Sequence, residues 1–178
     1  MIFLAGQRKE AYQLTTQAGF TTEEWTLLRT VPLFVAVGVS SADPSGILGS
    51  IKEAAAGMTG MIESLQQGTK IELLGAMLAD KSMPGMPDPK TLFGEGNSEQ
   101  KMANLKSAVL GRIREAANLV NSKATPEEAM AYRQMIMSVS EKAANASKEG
   151  GFLGFGGVRV SNAEQSFLNE VKAALQLA

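Results

Sequence analysis

Apolar residues recur along most of this chain at helical spacing. In Ile47, Leu48, Ile51, Ala54, Ala55, Met58, Met61, Ile62 and Leu65 the steps are three and four residues, which predicts one helix with a buried face. Met102, Leu105, Val109, Ile113, Ala116 and Val120 mark a second long helix, and Phe167, Leu168, Val171 and Leu175 a last one. Gly57 and Gly60 interrupt the first pattern. Each costs about 1 kcal/mol against alanine in a helix, so they point to a close helix crossing. The segment LFVAVGV after Pro32 is apolar on every side. Its length and composition also suit a short strand, but no partner strand is evident, so a buried helix is expected. Pro32 itself should kink or break the helix that enters it.

Helix starts are marked by capping chemistry. Thr21 with Glu24, Thr125 with Glu128 and Ser161 with Glu164 each have the Ser/Thr-x-x-Glu spacing of a capping box. Phe20 and Trp25 occupy the two positions of a hydrophobic staple around the first box. Asp43 and Pro44 suit an N-cap and the first helical position. A further helix is expected over roughly 3–17, ending at Gly19, and a short one over Ile71–Ala79. Between them and the later helices lies KSMPGMPDPKTLFGEGN, residues 81–97, whose three prolines and three glycines predict a long loop. The expected fold is all-α: one domain over residues 1–178, built as a bundle of about six to eight helices.

Two stretches look alike. TTEEWTLLR (Thr21–Arg29) and TPEEAMAYR (Thr125–Arg133) share T-x-E-E-x-x-x-x-R, and GILG at Gly46–Gly49 aligns with GFLG at Gly151–Gly154 after a shift of one residue. An internal pseudo-repeat is one reading. Chance recurrence of good capping residues is the other, and capping chemistry alone favours it.

Composition narrows the chemistry. The chain has 178 residues, 44% hydrophobic and 20% charged, with a net charge of -1. That is the balance of a globular protein. The basic residues form no stripe, so nucleic-acid binding has no electrostatic support. There is no cysteine and no histidine. Disulfides, thiolate metal sites, Ser-His-Asp and Cys-His catalysis, HExxH zinc sites and Glu-x-x-His di-iron sites are therefore ruled out. The strongest apolar run, Val31–Val39, is far shorter than the roughly 20 residues that span a bilayer. The first residues lack the order of charge and apolar core that a secretory signal needs, so the cytoplasm is the expected location.

EGGFLGFGGVRVSNAE, Glu149–Glu164, is the stretch that most invites a ligand. A G-x-G-x-x-G frame starting at Gly154 puts Arg159 where the third glycine belongs. A P-loop frame from Gly151 to Gly156 is followed by Gly157 and Val158 in place of Lys and Ser/Thr. Neither motif fits. The flanks instead read as a joint: Gly150 ends one helix, Phe152, Leu153 and Phe155 plug the core, and Ser161 starts the next helix. The weak candidate that remains is a docking or anion site at Arg159, Phe152, Phe155 and Ser161. MPGMP, Met83–Pro87, is too poor in ligands for a copper site and reads as a stiff loop or an adaptable surface. Glu23/Glu24 and Glu127/Glu128 sit in first helical turns, where they complement the helix dipole rather than form a catalytic pair. Arg29 and Arg133 are expected to make surface ion pairs.

EEWTLLRTVP, VSSADPSG with Lys52–Glu53 following, EEAMAYR and EGGFLGFGGVRVSNAE together make the chain resemble a group of small bacterial all-helical proteins. They cover about a third of its length. In architecture it is similar, more loosely, to the tellurite-resistance TerB-like helical domains, which are two-fold pseudo-repeated bundles. The acidic metal-binding motif of those domains is not recognisable here, so no site is carried across. The resemblance implies bacterial origin. No catalytic, cofactor or metal residue is assigned. The expectation is a non-catalytic cytoplasmic protein acting through contacts with another protein or another copy of itself. The alternative is a TerB-like stress-response module that binds a metal or small molecule.

Overall fold

A computed structural model describes residues 17–42, 47–82, 94–146 and 160–177, with only the backbone for 47–55. A single 3-10 turn, Gln17–Gly19, precedes six helices among the described residues: α1 (Thr22–Ser40), α2 (Ile47–Gln67), α3 (Glu72–Ala79), α4 (Ser98–Lys123), α5 (Pro126–Ala146) and α6 (Asn162–Ala174). No strand occurs among the described residues, and none of these helices is long and apolar enough to cross a membrane. The all-α bundle expected from the spacing is the fold observed. The expected helix over 3–17, the Asp43–Pro44 cap and MPGMP lie wholly or almost wholly outside the described residues.

The bundle is organised around α1. Twelve of its nineteen residues are buried, among them Leu28, Val31, Phe34, Val35 and Val39. A helix apolar on nearly every side has to sit in the middle, and α1 packs against α2, α4 and α5. It runs through Pro32 without a break, so the segment after the proline is the second half of one helix. Of the kink or break expected at Pro32, the break is corrected here, because burial on nearly every side holds the helix together where the proline removes a backbone bond.

α2 lies antiparallel to α5: Ser64 Oγ meets Ser138 Oγ at 3.4 Å, and further back Glu63 pairs with Lys142. Gly57 marks the crossing that its sequence position predicts. A Cβ there would stand 2.4 Å from Ala36 Cβ of α1 and 3.6 Å from Ala143 Cβ of α5. The buried stripe of α2 passes through Gly57, Gly60 and Leu65. Met58 and Ile62, expected in that stripe, are instead 49% and 45% exposed. The glycines draw the neighbouring helices onto their own side of α2, and this turns the two larger residues outward.

The helix starts behave as their residues dictate. Thr21/Glu24 and Ser161/Glu164 form reciprocal capping boxes, and Asn97 with Gln100 forms another at the head of α4. Just before it, Gly96 has φ +130°, and a Cβ would fall 2.5 Å from Gln100 Oε1, so only glycine lets that box close. The staple is present too, with the Phe20 and Trp25 rings 5.8 Å apart. α3 has no cap of its own. Its N-cap residue is Ile71, whose side chain makes no capping bond. Glu128, from the first turn of α5, supplies one: its Oε1 accepts from Leu73 N at 3.2 Å.

The two similar helix starts do not extend into a two-fold arrangement. α2, which follows α1, packs extensively along α5. Its counterpart α6, which follows α5, touches α1 only slightly. The glycine segments of the proposed repeat fall largely outside the described residues.

Candidate functional site

Three helix ends meet at one end of the bundle: the C-terminus of α1 and the N-termini of α4 and α6. They leave a groove of about 490 Å³, within the range of roughly 300–1,000 Å³ typical of ligand pockets. Its floor is apolar, formed by Leu105, Phe167, Met102 and the backbone at Gly38. Gly38 shapes it. A Cβ at that position would be 3.0 Å from Phe167 Cε1 and 3.3 Å from Val109 Cγ1, so the missing side chain lets the Phe167 ring lie on α1.

The rim is polar and mostly self-satisfied. Lys106 Nζ contacts Glu170 Oε1 at 2.5 Å and lies 5.8 Å from the Phe167 ring centroid. Their side chains are 44% and 39% exposed, so this is a solvated pair worth about 0–1 kcal/mol. Glu99 adds a carboxylate at the head of α4. Both helix N-termini already have an acceptor. Asn97 Oδ1 takes Gln100 N at 2.9 Å, and Ser161 Oγ takes Glu164 N at 3.2 Å. These contacts and Glu99 make the groove a poor seat for an anion and a fair one for an apolar group.

Of the candidate residues read from the sequence, Ser161 is placed as the N-cap of α6. Its own N–H donates to Glu164 Oε2 at 2.7 Å, and it sits two residues before Ala163 of the groove wall. Arg159, Phe152 and Phe155 lie outside the described residues. The groove itself was not legible beforehand, because its residues come from three separate helices. A glycine amid valines at Gly38 and a methionine at the open end of the α4 stripe are its only traces in the sequence.

Carboxylates drawn into the protein serve the fold. Asp80 ties α1 to the end of α3. Its Oδ2 accepts from Trp25 Nε1 at 2.8 Å and from Arg29 Nη1 at 2.7 Å, and its Oδ1 from Ser82 Oγ at 2.7 Å. The Ser82 hydroxyl foremost, then the Trp25 indole, the Ser82 amide and the Arg29 charge lower its pKa to about 2. Arg29 is thus no surface residue, its side chain being 11% exposed. Arg133, its counterpart in α5, turns back on Ala129 O of its own helix at 3.1 Å. The ion pair expected of Arg29 forms, but largely buried and not on the surface, and the surface pair expected of Arg133 is corrected to a bond within its own helix. Glu128 and Glu164 are buried as helix caps. Among the described residues, no group of three or more acidic side chains is placed to hold a metal ion.

No family model, curated protein or solved structure matches this chain.

Proposed function

We propose that this is a non-catalytic bacterial cytoplasmic protein that works by protein contact, and that the first such contact is with a second copy of itself. The observation that carries the proposal is the presence of two apolar surfaces, one concave and one projecting. One is the groove between α1, α4 and α6. The other is Met58 and Ile62, exposed at 49% and 45% and spaced i, i+4 on α2. That spacing presents two side chains side by side, the arrangement by which a helix anchors itself in an apolar groove. Methionine adapts its shape to such a site. A stable contact covers about 800 Å² on each partner, so these residues would form its centre and not its whole area.

The two surfaces belong to different parts of the chain, so the contact is heterologous and can be tested by complementation. Light scattering across a concentration series should find the wild-type protein dimeric or larger. Met58→Glu with Ile62→Glu removes the ridge, and Ala103→Glu blocks the groove wall; each variant should be monomeric and folded by circular dichroism. Mixed together, they should form a heterodimer through the intact ridge of one and the intact groove of the other. A wild type that stays monomeric throughout, or folded variants that fail to pair on mixing, would sink the proposal.

A further inference from the structure

Pro32 sits in the middle of α1 and has no backbone N–H to give to the carbonyl four residues before it, that of Leu28. Leu28 is fully buried, and a buried carbonyl without a donor is costly. The donor comes from another helix. Tyr132 Oη of α5, itself fully buried, donates to Leu28 O at 2.9 Å. Burial pushes the phenol pKa far above its ordinary value, so the hydroxyl keeps its proton.

The neighbourhood makes this bond informative. α1 packs along α5, and Leu28, Val31 and Val35 of the one and Ile136 and Val139 of the other belong to one continuous core. Aliphatic residues of similar volume specify the rotation and axial position of a helix only loosely. Nearby buried hydroxyls carry no such information: Thr30 Oγ1 bonds to Thr26 O at 2.8 Å and Ser140 Oγ to Ile136 O at 2.8 Å, each within its own helix. A proline-orphaned carbonyl differs, because it marks one place along α1 and asks for one donor. We infer that Pro32 and Tyr132 form a register lock, in which the amide missing from α1 selects the one packing of α5 that brings the Tyr132 hydroxyl to Leu28 O.

Four proteins test it: wild type, Tyr132→Phe, Pro32→Ala and the double variant, compared by thermal melting and by two-dimensional amide NMR. Phenylalanine keeps the ring and removes the donor; alanine at 32 restores an N–H for Leu28 O. Tyr132→Phe alone should lower Tm by about 5 °C and give broadened or doubled amide peaks in α1 and α5. In the Pro32→Ala background the same change should cost less than half as much and leave single sharp peaks. If Tyr132→Phe does not fold, a folded double variant supports the lock and an unfolded one overturns it. An equal loss in both backgrounds overturns it, as does a Tyr132→Phe protein that melts like wild type. Sharp single peaks in Tyr132→Phe also overturn it, since they would reduce the bond to ordinary stabilisation.

Discussion

Thr21–Arg29 opens α1 and Thr125–Arg133 opens α5 with the same T-x-E-E-x-x-x-x-R pattern. Both threonines cap their helices, with Thr21 Oγ1 accepting from Glu24 N at 3.2 Å and Thr125 Oγ1 from Glu128 N at 3.3 Å. Beyond the cap the two diverge at the second glutamate, at the final arginine and at the residue before it. Glu24 faces solvent and pairs with Lys123 at 2.6 Å, while Glu128 is 5% exposed and caps α3 as well as its own helix. Arg29 reaches across to Asp80, and Arg133 stays on its own helix. Leu28 and Tyr132 meet as acceptor and donor. A short sequence pattern therefore specifies a helix start, and the surroundings decide what its remaining side chains do.

The sharpest way to break this contrast is Glu128→Ala. It strips the acceptor from Leu73 N and from Thr125 N, which donates at 2.9 Å to Glu128 Oε2. Buried bonds to a charged group are worth roughly 1.5–3 kcal/mol each. We expect a loss of about 3 kcal/mol, read as a fall in Tm of roughly 6–12 °C, with faster hydrogen exchange at Leu73 in α3.

Asp80→Asn probes the Arg29 side of the comparison, and its effect should be smaller. The folded protein holds the Asp80 pKa at about 2, below the ordinary 3.8. A lowered carboxyl pKa contributes stability that is fully present above the ordinary value and is lost as pH falls towards the folded one. The wild-type Tm should therefore drop between pH about 4 and about 2, and the Asn variant should show a shallower drop over that window in a melting series.

Next come the two caps. Thr125→Ala and Thr21→Ala each remove a capping oxygen, a loss of about 1 kcal/mol. Thr125 should lose more in chemical denaturation, because its hydroxyl also donates to Glu128 Oε2 at 2.9 Å and steadies the carboxylate that caps α3. Equal losses would mean the two boxes are interchangeable after all.

Glu24→Gln should have the smallest effect. The Lys123 ammonium first, then the Thr21 amide, lowers the pKa of Glu24, but the pair is solvated and screened by salt. Its small loss in Tm at low ionic strength should vanish in 1 M salt, at a Debye length of about 3 Å, while the Glu128→Ala loss should persist.

Much of the fold was legible because it rests on local rules. The three capping boxes, the Phe20–Trp25 staple, the buried stripes of α4 and α6 and the crossing at Gly57 all follow from residues within one or two turns of each other. Asn97 with Gln100 obeys the same rule, with amides in place of hydroxyl and carboxylate. The groove was not legible, and neither was the orientation of Met58 and Ile62. Helical spacing places Met58 and Ile62 beside the buried stripe, but whether they are covered depends on how closely the small residues at Gly57 and Gly60 admit their neighbours.

What the sequence determined by itself was where helices start, which faces are apolar and which chemistries the absence of histidine and cysteine removes. Those are matters of backbone geometry and residue type, settled over a few positions. Only the tertiary structure decided that Glu128 caps a helix 55 residues away in the chain, that Tyr132 answers the amide missing at Pro32 across 104 residues, and that three helix ends leave an apolar groove. The first two require groups distant in sequence to be brought within about 3 Å, the third requires three separate helices to converge, and the packing of the whole bundle is what achieves both.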